Sequence, residues 1–157
     1  MGKGTGLSDS SRTGCVALLK PLLADEYALY TKTRNYHWNV TGPHFHDLHK
    51  MFEAQYEEID ETIDEIAEFI RSLGELSPGS LKAFLADARL QEAAEESLKA
   101  AEMVKDLRKN HEAICRQLRD DIKKAHDEFG ADDVADFLTG LLEEHQKTAW
   151  MLRSTEE

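Results

Sequence analysis

Residues 35–73 read NYHWNVTGPHFHDLHKMFEAQYEEIDETIDEIAEFIRSL. From Phe45 the apolar residues Leu48, Phe52, Tyr56, Ile59, Ile63, Ile66, Ile70 and Leu73 follow at steps of three and four without a miss. That spacing lines one side of an α-helix about seven turns long. Thr41-Gly42-Pro43 breaks the chain before it, and Gly74 caps it. A seam of this length cannot stay in water, so partner helices must cover it.

The flanking sequence supplies them. Upstream, Leu19, Leu22, Leu23, Tyr27 and Tyr30 recur at helical spacing between Val16 and Val40, and Pro21 must lie in the first turns of that helix or kink it. Downstream, Ser77-Pro78-Gly79-Ser80 is a loop and Leu81–Leu85 a short helix. A third long helix is predicted from about Glu95 to Phe129, with Leu98, Val104, Leu107, His111, Ile114, Leu118 and Ile122 on one face. Gly130 ends it, and a fourth runs from Asp132 to Leu152 with Val134, Phe137, Leu141, His145 and Trp150. The fold class is all-α: a four-helix bundle with a short helix in the long crossover between helices 2 and 3, the plan of ferritin-like bundles. Residues 1–14, rich in Gly, Ser and Thr, read as a flexible tail whose basic residues are Lys3 and Arg12, and residues 15–157 as the bundle domain. No internal repeat is present.

The chain has 157 residues, enough for one domain with a real core, and a formal charge of −12. That charge disfavours a simple electrostatic grip on nucleic acid or an anionic membrane, and it suits cations. No apolar run reaches the roughly 20 residues a membrane span needs, and the first residues lack the apolar core of a secretory signal. A cytoplasmic protein is expected. Cys15 and Cys115 form no C-x-x-C and read as buried thiols of a reducing compartment.

On a wheel of about 100° per residue, His49, Glu53, Asp60, Asp64 and Glu68 fall in the sector beside the apolar seam. His49 and Glu53 are one turn apart, as are Asp64 and Glu68. Residues 45–74 hold nine carboxylates, and most of them simply face water. Those that flank the seam share their stripe with a histidine, a donor mixture that suits iron, manganese or zinc. The di-iron site inside a ferritin-like bundle needs Glu-x-x-His, and none of the seven histidines has Glu three residues before it. Ligands for iron must therefore be assembled differently, and a subunit interface is the obvious route.

The block Asn35–Asn39, Gly42, Phe45, Leu48-His49, Phe52-Glu53, Tyr56, Asp64 and Glu68 closely resembles the Dps (DNA-binding protein from starved cells) family of mini-ferritins. The likeness extends over nearly the whole chain, to the Trp150-Met151-Leu152 ending. The resemblance implies a ferroxidase centre between subunits of a homododecamer. One chain supplies His37 and His49, and its partner supplies the acids Glu53, Asp64 and Glu68. At most two irons bind per site, with no organic cofactor. Fe(II) and H2O2 are the implied substrates, and Fe(III) mineral is stored in the shell. Trp38, beside His37, either donates an electron that quenches oxidising equivalents or anchors the interface. Asp132, Asp133 and Asp136 are implied to line a pore that admits iron, and they equally suit the positive end of the fourth helix. His44 reads as a cap, His46 as a surface residue and His111 as a hydrogen-bonded core residue. His126 and His145 have no carboxylate constellation of their own.

Two rival readings exist. A DNA-compacting, nucleoid-associated protein would use a Lys/Arg-rich tail, whereas this tail holds two basic residues and the chain ends Ser154-Thr155-Glu156-Glu157. DNA binding is expected to be weak or absent, or bridged by Mg2+. A purely structural bundle would make the His37, His49, Asp64 and Glu68 pattern a coincidence.

Overall fold

The computed structural model describes residues 4–156. Lys3 of the expected tail and Glu157 lie outside the described residues. Four long helices and one short one follow in order: α1 (Asp9–Asn39), α2 (Phe45–Ser72), α3 (Leu81–Asp87), α4 (Ala100–Lys123) and α5 (Asp132–Arg153). A π-helical turn, Lys124–Glu128, extends α4. Among the described residues there is no strand. The all-α bundle with a crossover helix is therefore observed, with α4 starting at Ala100 where the periodicity placed a helix from about Glu95.

The short Val40–His44 turn makes α1 and α2 antiparallel neighbours. Tyr36 and Lys32 meet Asp106 and Asn110, so α4 also runs against α1. Glu26 meets His145 across the bundle, and Gly14 near the start of α1 lies against Phe129 just before α5, so α5 runs parallel to α1. α2 and α4 thus point the same way, and the crossover has to travel the length of the bundle. Asp25, buried on α1, holds it there: its carboxylate accepts from the Arg89 and Leu90 amides at 2.5 and 3.1 Å and from the Arg89 guanidinium. The core between the helices is aliphatic, with Phe52, Leu19, Leu22, Ile66, Leu107 and Leu138 fully buried. Each such side chain contributes about 2 kcal/mol by leaving water.

Of the two alternatives for Pro21 the first is excluded: it lies in the fourth turn of α1, inside the helix, where Leu19, Leu22 and Leu23 around it are fully buried. Their packing offsets the lost backbone bond, a cost of about 3 kcal/mol. The helix also starts within the segment expected as a tail. The Ser8 hydroxyl accepts from the Ser11 amide and caps it. Arg12 is buried and ties α1 to the end of α2, donating to Leu73 O at 3.2 Å and Glu75 Oε1 at 2.6 Å. At Gly14 a Cβ would stand 2.4 Å from the Phe129 ring, so glycine here serves packing and not flexibility.

Candidate metal centre

His37 sits in the last turn of α1 and His49 early in α2. The intervening turn, with Gly42 at φ +113°, folds one back onto the other. Their rings stack at 3.8 Å between centroids, 15° from parallel. Each Nδ1 lies 2.7 Å from the other residue's main-chain carbonyl oxygen. A carbonyl only accepts, so both Nδ1 atoms carry the proton and donate it. In the neutral imidazoles this tautomer leaves the lone pairs on Nε2, the form in which imidazole binds a metal. Phe45 stacks on the outer face of His49 at 5.0 Å, and Tyr56 meets His37 edge-on at 5.2 Å. Rings held on both sides in this way present their nitrogens in a fixed direction, so little entropy is lost when an ion binds.

The carboxylates do not join them within one chain. α2 is an unbroken helix from Phe45 to Ser72. At about 1.5 Å per residue, Asp64 lies roughly 22 Å along the axis from His49. Ligands of one ion sit about 2 Å from it and must converge within a few ångströms. Asp64 and Glu68 are exposed and one turn apart, free to serve a histidine pair on another chain. Among the described residues of a single chain no three His, Cys, Asp or Glu side chains are grouped to hold a metal.

The same ruler corrects the expected division of ligands. Glu53 is one turn from His49 but about 16 Å from Asp64. It cannot reach an ion that Asp64 and Glu68 of its own chain hold, and it lies at the His49 end of α2. It is half-buried and paired with Lys50 at 3.3 Å.

Trp38 is 64% exposed, and its ring faces the Arg34 guanidinium at 5.3 Å. Asp132, Asp133 and Asp136 are exposed at the start of α5. Asp132 accepts from His126 Nδ1 at 2.6 Å, which raises the His126 pKa. His126 therefore does have a carboxylate partner. His44 occupies the cap position of α2 but its side chain makes no capping bond, and His46 is exposed.

A buried polar chain crosses the bundle and was not foreseen. Glu26 Oε1 stands 2.5 Å from His145 Nε2, and His145 Nδ1 stands 2.8 Å from His111 Nδ1. His111 is a hydrogen-bonded core residue as expected, whereas His145 has the carboxylate it was not expected to have. Burial pushes the His111 pKa well down, aided by His145. Burial also works against protonation of His145, but the Glu26 carboxylate outweighs it and the His145 pKa is raised. One sequence signal existed: Glu26 lies one turn from Leu22 and Leu23, on the apolar face of α1, where an acid needs a partner. Between α2 and α5 lies a cleft of about 320 Å³ lined by Glu58, Glu61, Thr62, Glu65, Glu144 and Lys147. Burial, then the nearby Glu65, raises the Glu144 pKa.

The ferritin-like domain family matches residues 16–156. A low temperature-induced protein of Nostoc sp. is 48% identical over 149 residues, covering 95% of this chain and 83% of that protein. The DNA protection during starvation protein 2 of Bacillus anthracis is 37% identical over 141 residues, 88% of this chain and 94% of its own. The crystal structure of the Vibrio cholerae O1 Dps protein, described as a member of a broad superfamily of ferritin-like diiron-carboxylate proteins, superposes with a TM-score of 0.93 at 28% identity. That superposition covers 99% of this chain and 97% of the other.

Proposed function

The chain belongs to the Dps family of ferritin-like proteins, and on that premise we propose that it is a ferroxidase that oxidises Fe(II), preferentially with H2O2, and stores the Fe(III) as mineral inside a dodecameric shell. One observation carries the reading. His37 and His49 bond through Nδ1 to each other's main chain with their rings stacked, which leaves the Nε2 atoms of the neutral imidazoles as oriented metal donors.

Fe(II), the substrate, binds His37, His49 and Glu53 of one chain together with Asp64 and Glu68 of the partner subunit. Imidazole nitrogen suits Fe(II), and the hard carboxylates favour Fe(III) once formed. A second Fe(II) shares the carboxylates. Two Fe(II) then give one electron each to one H2O2, so that 2 Fe(II) + H2O2 + 2 H2O become 2 FeO(OH) + 4 H+. Both peroxide electrons are supplied at once and no hydroxyl radical leaves the site. The ferric product grows on an acidic surface, for which the Glu58, Glu61, Glu65 and Glu144 cleft is the candidate. Asp132, Asp133 and Asp136 serve the path by which Fe(II) enters. Trp38 borders the site.

Protection of DNA follows from removing Fe(II) and peroxide together, in the cytoplasm and without a grip on DNA. A chain of net charge −12 repels phosphate, so a gel shift at low salt should show retention only when Mg2+ is present.

The deciding experiment loads the protein with Fe(II) anaerobically and adds H2O2 or O2. Two Fe(II) consumed per peroxide, fast in the native protein and at least about tenfold slower in a His37→Ala/His49→Ala variant, supports the centre. Equal, slow rates in both proteins would sink it.

A further inference from the structure

A file of aromatic rings leaves the paired histidines and runs back along α1. His37 meets Tyr56 at 5.2 Å between centroids, Tyr56 meets Tyr30 at 6.1 Å, and Tyr30 meets Tyr27 at 5.8 Å. Tyr27 then stacks on Phe84 of α3 at 4.4 Å. All these spacings are those of rings in direct contact. All three successive rings are half-buried phenols, which lose an electron and a proton far more readily than Phe or Leu.

A cation gives the file a direction. The Arg34 guanidinium lies 4.8 Å from the Tyr56 ring, 5.5 Å from Tyr30 and 5.3 Å from Trp38. Its Nη1 donates to the Tyr30 hydroxyl at 2.6 Å. Positive charge over a ring disfavours loss of an electron from it. Arg34 therefore makes Tyr56, Tyr30 and Trp38 harder to oxidise. It makes no such contact with Tyr27, roughly 15 Å along α1 from His37.

We propose that Tyr56, Tyr30 and Tyr27 form a path by which oxidising equivalents leave the iron site, with Tyr27 as their resting place. The path rests on the ferroxidase reading and matters when a site holds a single Fe(II), which can give peroxide only one electron. Then Fe(II) + H2O2 yields Fe(III) + HO− + HO•, and HO• takes a hydrogen atom from the Tyr56 phenol to give H2O and a phenoxyl radical. Tyr30 repairs Tyr56, and Tyr27 repairs Tyr30. At each exchange one electron and one proton pass to the ring being repaired, the proton directly or through water. The damaging equivalent is thereby moved away from the ligands His37 and His49.

The test adds H2O2 to anaerobic protein holding one Fe(II) per site, freezes the sample, and reads the electron paramagnetic resonance spectrum. Fe(II) consumption is followed in parallel at two Fe(II) per site. The native protein should give a long-lived phenoxyl signal that Tyr27→Phe abolishes and Tyr30→Phe shifts to the line shape of a different tyrosine. Neither substitution should change the two-iron rate. A signal that survives Tyr27→Phe with unchanged shape and lifetime overturns the path. So does rapid two-iron oxidation with no phenoxyl signal in the native protein, which would leave the ferroxidase reading intact. Absence of Fe(II) oxidation in the native protein removes that reading and the path together.

Discussion

At the scale of single residues, the hydrogen bonds of His37 and His49 run to main-chain carbonyls, beside the stacking of their rings. Removing one ring leaves the other with its bond. Each single alanine variant should therefore keep one oriented ligand and slow Fe(II) oxidation by about tenfold, and the double variant should lose more; stopped-flow absorbance separates the two levels. Glu26 allows a second prediction, about stability. The His145 pKa is raised in the fold. Its stabilisation is thus complete below the unfolded value of about 6.5 and disappears as pH rises through the folded value. Glu26→Gln should cost about 3 kcal/mol. The deficit in urea unfolding should be largest in acid and shrink in alkaline buffer; a deficit independent of pH would refute the pairing. His111 opposes this trend. Its pKa is depressed in the fold, so it lowers stability of native and variant alike as pH falls below about 6.5. The histidine candidates for iron were legible because they share a short segment with the turn that joins them. The Glu26 and His145 pair was not, because its members are 119 residues apart and meet only through packing.

At the scale of elements, periodicity located every helix, since an apolar stripe must be buried wherever its partners lie. Ends were harder to read. α1 begins at Asp9 because Ser8 caps it and Arg12 finds the end of α2, and neither event is visible in a Gly/Ser-rich run. The crossover is held by Asp25, whose buried carboxylate gathers the Arg89 and Leu90 amides. Asp25→Ala should destabilise the protein by about 2 kcal/mol. Hydrogen exchange at Arg89 and Leu90 should quicken well beyond that at the core amides of α4; uniform quickening would mean that Asp25 supports the bundle and not the crossover.

At the scale of the whole molecule, the length of α2 decides how the centre can be made. Acids roughly 22 Å from the histidines along one helix can serve them only across a symmetric contact, in which each chain gives and receives. A His37→Ala/His49→Ala chain mixed and refolded with an Asp64→Ala/Glu68→Ala chain should then regain activity. Half of the two-fold contacts would pair unlike chains, and each of these would have one intact site of two, so recovery should approach about a quarter of native. No recovery would place histidines and acids in the same chain's site. The amino-acid sequence by itself determined the helices, the crossover plan and the metal-type donors, because periodicity and residue chemistry are local properties. Only the tertiary structure decided the bonds of His37 and His49 to each other's main chain and the Glu26–His145–His111 chain. These depend on which backbone oxygen or side chain arrives from a distant helix, and no pattern within one helix records that.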